Sequence, residues 1–198
     1  MTDIVAIPIN PAFEEINKAR TRLKFGYVNP GLRIGFNILE TLGTINNNTL
    51  AVTMNTIPRG RMTEKQYANF KGAMLLSYLE TCFKSVSPII VRAIMIYEPR
   101  LCCSDVACAF LNSGNVTAVR EMELCGYAPD ENLVKELVSC LKAAEYKETE
   151  YDEICERYTP VIDYLISKGF EHIINHKILI TITDNTHPKT DILLTSKF

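Results

Sequence analysis

Three kinds of residue in this chain could do chemistry: histidines, cysteines, and a scatter of arginines and lysines. The histidines are His172, His176 and His187. In EHIINH the first two stand four apart, a spacing that on a helix would present both to one metal ion. The H-E-x-x-H arrangement is missing, and the segment runs from Gly169 into a strand-like run, where four residues separate the rings by more than about 10 Å. They read as surface or interface histidines. The cysteines are Cys82, Cys102, Cys103, Cys108, Cys125, Cys140 and Cys155, an odd number with no C-x-x-C pair. The nearest approach, CCSDVAC, ends in a C-x4-C spacing with no second cluster and no nearby histidine. Most lie at apolar positions, which favours reduced, buried thiols over zinc. No G-x-S-x-G, Walker A or G-x-G-x-x-G pattern occurs. The sequence therefore assigns no catalytic residue, no metal and no cofactor, and a Cys/His-dependent enzyme ranks below two non-enzymatic readings.

The basic residues carry more. KARTRLK holds Arg20, Arg22 and Lys24; Arg33 follows; PRGRMTEK holds Arg59, Arg61 and Lys65. Interleaved with Phe25, Tyr27 and Tyr67, these seven cations could track a phosphate backbone while the rings stack on bases. Arg59 and Arg61 stand just before a predicted helix start, where free backbone amides favour an anion. The same patch could instead lie on an anionic membrane surface, gaining about 1 kcal/mol per cation. Against nucleic acid stands a sequence pI of about 6.0. Against any ligand stands the ordinary explanation that cations crowd a helix C-terminus to complement its dipole. Residues 1–100 carry 12 Lys and Arg against 7 Asp and Glu, and residues 101–198 carry 9 against 16. Opposite signs on the two halves suit head-to-tail self-association as well as an anionic partner.

The elements that must position these residues follow from periodicity and punctuation. IVAIP reads as a short strand, and a helix follows over roughly residues 12–24. In LRIGFNILETLG, Leu32, Ile34, Phe36 and Ile38 alternate with polar or small residues, a period of two that predicts a strand. INNNT reads as a turn and TLAVTMNTI as the second strand of an antiparallel hairpin. Thr63 and Gln66 form a capping-box signature for a helix to about residue 86, with Tyr67, Phe70, Met74, Tyr78, Cys82 and Phe83 on one stripe. PIIVRAIMIYEPR reads as a central strand with Arg92 embedded in it, and VTAVREMELC as an edge strand. CCSDVACAFLN is left open between strand and helix. The acidic segment 128–168 predicts two helices, the second capped by Thr149, interrupted by Pro160 and closed by Gly169. KILITITD and DILLTSK read as closing strands. The expected fold is α+β: a mostly antiparallel sheet with about four helices in a single domain spanning residues 1–198.

A chain of 198 residues, 47% hydrophobic and 22% charged, is of ordinary globular composition. It has no apolar run of membrane-spanning length and an N-terminus unlike a signal peptide, so a soluble intracellular protein is expected. Residues 50–97 combine an alternating strand (Val52, Met54), a Pro-Arg bend (Pro58, Arg59, Arg61), a Thr-capped helix and an apolar strand. This order resembles the start of the globular core of rhabdovirus matrix proteins, particularly the small ones of plant-infecting members. The resemblance implies a non-enzymatic viral assembly protein of the host cytoplasm and virion. Such a protein would self-associate and bridge nucleocapsid protein or RNA to a membrane surface. The basic, disordered arm and proline-rich motif of that family are absent from this sequence. The alternative is a viral RNA-binding protein such as an RNA silencing suppressor.

Overall fold

In a computed structural model of the chain, the described residues are 10–22, 30–143 and 151–174. They contain helices and no strand. In order these are α1 (Pro11–Arg22), α2 (Pro30–Thr41), α3 (Asn47–Asn55), α4 (Glu64–Glu80) and α5 (Pro88–Tyr97). A 3-10 turn (Pro99–Leu101) leads to α6 (Ser104–Asn112), α7 (Val116–Leu124), α8 (Glu131–Ala143), α9 (Tyr151–Ser167) and the short α10 (Glu171–Ile173). The expected α+β fold with a mostly antiparallel sheet is therefore wrong for the described residues. The strands expected at IVAIP, KILITITD and DILLTSK, and the Thr149 cap, lie outside them.

Four expected strands are helices, and each has a physical cause. Residues spaced two apart also include pairs four apart, so the Leu32-to-Ile38 alternation fits a helix as well. Phe36 is fully buried while Ile38 is 53% exposed, which a strand face shared by both would forbid. Pro30 supplies the first residue of α2, where a missing N–H costs nothing. Gly43, at φ +63°, ends it: Gly43 N–H donates to the Glu40 carbonyl and Thr44 N–H to the Leu39 carbonyl, each at 2.9 Å. The polar INNNT is a helix start rather than a hairpin turn. Asn46 Oδ1 accepts from the amides of Asn48 and Thr49, while Thr49 Oγ1 accepts from the Asn46 amide, closing a capping box on α3. Ser87 and Pro88 open α5, whose apolar composition reflects burial on most sides rather than a central strand position. Asn115 accepts from the Ala118 amide at the start of α7, and Gly126 ends it. The undecided CCSDVACAFLN forms the 3-10 turn's exit and α6.

The cap signatures hold at the start of α4 and the end of α9, but α4 stops at Glu80, short of the expected residue 86, and Pro160 does not split α9 as expected. Thr63 accepts from the Gln66 amide at 3.2 Å and Gln66 Oε1 accepts from the Thr63 amide at 2.9 Å, so α4 starts where the capping box sets it. Gly169 closes α9 with the same pair of bonds seen at Gly43, from its own N–H to Ile166 and from Phe170 to Leu165. Pro160 lies inside α9, which continues through it to Ser167.

The chain divides into two compact units. Unit 1 comprises residues up to Cys103 together with Arg120–Tyr127; unit 2 comprises Ser104–Val119 and residues from Ala128 onward. In unit 1, residues 72–76 of α4 are consecutively buried, which makes α4 its central helix. Packing is closest between α1 and α4 and between α3 and α5. Phe36 of α2 meets Tyr78 of α4 with ring centroids 4.6 Å apart. The α4 stripe thus packs on helices: Met74 and Tyr78 are buried, whereas Tyr67, Phe70 and Cys82 are only half-buried. In unit 2, α6 packs on α8 and α9 through residues such as Phe110, Leu133, Leu137, Tyr158 and Val161. Among the described residues, no helix is long and apolar enough to cross a membrane.

Candidate functional site

The site is a cleft of about 470 Å³ in unit 1, between one face of α1 and the first two turns of α4. Glu15, Lys18, Ala19 and Arg22 stand three, four and seven apart and so share a stripe of α1, while Phe13 and Ile16 face the core. Across from them stand Met62, Thr63, Lys65, Gln66, Asn69 and Phe70. Three cations, one carboxylate and the polar Thr63, Gln66 and Asn69 thus line a groove whose aliphatic and aromatic members are Ala19, Met62 and Phe70.

A chain of polar contacts fixes one wall. Lys65 Nζ donates to Glu15 Oε1 at 2.7 Å, and Asn69 Nδ2 to Glu15 Oε2 at 3.1 Å. Asn69 Oδ1 accepts in turn from Arg100 Nη1 at 2.5 Å. Arg100 Nε and Nη2 grip the two carboxylate oxygens of Glu98 at 2.7 Å each, a bidentate fork on a buried carboxylate. The bond from Lys65, then that from Asn69, holds the Glu15 carboxyl below the usual carboxylate range. The bond to Glu98 holds the Arg100 guanidinium above its usual value. Gly72 makes this packing possible. A Cβ there would lie 2.8 Å from Ile16 Cδ1 and 3.1 Å from Glu98 Oε2. Only a glycine lets α1 and the Glu98 carboxylate approach α4 together.

Of the seven cations singled out by sequence, the cleft brings together Arg22 and Lys65. Arg20 sits elsewhere on α1, donating to Glu80 at 2.6 Å and to Asn17 at 2.9 Å. Arg59 precedes α4 as expected but is not a free anion contact: it pairs with Glu64 and donates to the Met62 carbonyl at 2.8 Å. Arg61 is exposed and makes no ion pair among the described residues. Lys24 and the Arg33 side chain lie outside the described residues. Lys18, which joins the cleft, is paired with Glu14 at 2.6 Å. Arg92 is not embedded in a sheet; it is exposed on α5 and paired with Glu121 at 2.7 Å. Of the five of those seven cations whose side chains are described, Arg20, Arg59 and Lys65 are each paired with a glutamate and, among the described residues, Arg22 and Arg61 are not.

The sequence reading missed the Glu98–Arg100 fork and the role of Gly72. The Glu-Pro-Arg tripeptide carries the signal for the first, because a proline disfavours helix at the residue before it and so ends α5 at Glu98, two residues from Arg100. Nothing local in FKGAM distinguishes Gly72 from a glycine that merely weakens a helix.

Among the described residues the thiols and the histidine do not assemble a reactive centre; the Cys140 and Cys155 side chains lie outside them. Burial pushes the Cys102 thiol up to about 11 and raises that of Cys125. Both are protonated at neutral pH and poor nucleophiles. Cys103 and Cys108 are buried, and His172 is exposed on α10. His176 and His187 lie outside the described residues. Among the described residues no group of three His, Cys, Asp or Glu side chains is placed to hold a metal ion.

Compared with known protein families, characterised proteins and solved structures, the chain shows no significant match. The two strands that supported the resemblance to matrix proteins, around Val52 and Ile94, are α3 and α5, so that element order supports no functional conclusion.

Proposed function

We propose that this is a non-enzymatic assembly protein that associates with itself and holds an acidic segment of a partner protein in the α1–α4 cleft. The observation that carries the reading is the cleft itself, lined by Lys18, Arg22 and Lys65 together with Ala19, Met62 and Phe70. A groove lined by both cations and apolar side chains suits a segment that alternates carboxylates with apolar side chains.

RNA is the weaker candidate on the same grounds. Tracking a phosphate backbone takes a run of available cations, and here Lys18, Arg20, Arg59 and Lys65 already face Glu14, Glu80, Glu64 and Glu15. Each would have to leave its carboxylate to reach a phosphate. A membrane surface meets the same objection. A short acidic segment, by contrast, can start from Arg22, which no carboxylate pairs among the described residues, and meets the objection only at Lys18 and Lys65.

Fluorescence anisotropy of the full chain against three labelled probes tests this reading. The probes are a peptide alternating glutamate with leucine and phenylalanine, a single-stranded RNA of equal charge, and vesicles containing anionic lipid. The peptide is expected to bind most tightly, and Arg22→Glu to weaken it about tenfold, the scale of one charge-assisted contact. Preference for RNA or vesicles, or indifference to Arg22→Glu, would overturn the assignment.

A further inference from the structure

Of the seven large apolar side chains exposed among the described residues, six belong to unit 1, and three of them lie three or four residues along their helices from one ion pair. On α5 the exposed positions are Ile89, Arg92 and Ile96; every other residue of the helix is buried or half-buried. Their spacing of three and four places them on one narrow stripe. Ile89 is 54% exposed and Ile96 47%. Arg92 Nε donates to Glu121 Oε2 of α7 at 2.7 Å. One turn past Glu121, on the same side of α7, stands Leu124 at 71% exposure. The result is an apolar face with the exposed Arg92 at its centre and, bonded to it, the Glu121 carboxylate, whose side chain is 14% exposed.

That central pair is half used. Arg92 spends a single N–H on a single carboxylate oxygen, in contrast to the two-pronged grip of Arg100 on Glu98. The Arg92 Nη1 and Nη2 groups and Glu121 Oε1 make no hydrogen bond among the described residues.

We propose that this face docks a second copy of the chain about a two-fold axis. Arg92 of each copy reaches Glu121 of the other, and Ile89, Ile96 and Leu124 of both leave water. Charge complementarity names the occupant. A patch that carries both signs side by side is matched by its own two-fold image. A partner of one sign would leave either Arg92 or Glu121 covered and opposed by a like charge. The inference rests on the self-association part of the function proposed above and uses no residue of the cleft.

Sedimentation velocity of the full chain over a concentration series provides the test. Wild type is expected to dimerise, and Ile96→Glu combined with Leu124→Glu to be monomeric with an unchanged circular dichroism spectrum. Arg92→Glu and Glu121→Arg should each weaken dimerisation at least about tenfold. An equimolar mixture of these two should recover it, since every glutamate then faces an arginine across the interface. A contact confined within each chain would gain nothing from mixing. A wild type that stays monomeric at every concentration would overturn self-association itself. A wild-type dimer indifferent to the paired Ile96 and Leu124 changes would leave self-association standing and overturn this face. A dimer broken by those changes but not restored by mixing would overturn the two-fold exchange of Arg92 and Glu121.

Discussion

At the scale of single residues, the tightest constraint on unit 1 is Gly72. Inside an exposed helix, replacing glycine by alanine gains about 1 kcal/mol. At this position the added Cβ meets Ile16 Cδ1 and Cγ1 at 2.8 and 3.0 Å and the Glu98 carboxylate at 3.1 Å, with Ile16 itself fully buried. Overpacking of this kind costs about 1–3 kcal/mol. Gly72→Ala should therefore lower stability by about 1 kcal/mol net in urea unfolding. Ile16→Val removes the nearest atom and should make the double variant less damaged than the two single changes predict together. A Gly72→Ala protein more stable than wild type would show that α1 is not held against α4 as described.

At the scale of elements, caps decide where helices begin and end. The reciprocal bonds of Thr63 and Gln66 start the helix that forms one wall of the cleft. Thr63→Ala should cost about 1 kcal/mol in thermal or urea unfolding, while Thr63→Ser, which keeps the acceptor, should cost only a fraction of that. Equal losses in the two variants would show that the cap bond is not what matters there. The helix ends are as informative. Gly43, Gly114, Gly126 and Gly169 all have positive φ and close their helices with the same pair of backbone bonds. Gly169 was legible because a strongly periodic acidic helix precedes it. Gly43 and Gly126 are not, because the alternation in the runs before them also fits strands. Read as C-terminal caps, LETLG and ELCG would have pointed to α2 and α7.

For the molecule as a whole, charge governs how stability responds to pH. Lys65 and Asn69 hold the Glu15 carboxyl below its usual range. A carboxyl depressed in the folded state contributes stability above its unfolded value of about 4.3 and loses it as pH falls through the lower, folded value. Lys65→Met removes the main cause of the depression. The urea midpoint of wild type should exceed that of Lys65→Met near neutrality, and the gap should close as the solution is acidified below about pH 4. A gap that stays constant, or widens, would mean that Lys65 stabilises the fold through something other than Glu15. The imbalance of charge between residues 1–100 and 101–198 is a property of the sequence. Its local consequence in unit 1 is muted, since Arg20, Arg59 and Lys65 each sit beside a glutamate.

By itself the sequence determined the α4 start at Thr63, the α9 end at Gly169, and the positions of α1 and α8, because caps and strong periodicity act over a few neighbouring residues. It also placed Arg59 and Arg61 before a helix N-terminus. What only tertiary structure decided is the fate of short apolar runs. LRIGFNILETLG and PIIVRAIMIY satisfy a strand and a buried helix equally, and packing against α3 and α4 selects the helix. Tertiary structure also decided which cations border the cleft. Residues as distant in sequence as Arg20 and Glu80, or Glu15 and Lys65, meet only after α1 docks on α4. Lys18, Arg22 and Lys65 border one cleft for the same reason, because the missing side chain of Gly72 lets those helices approach.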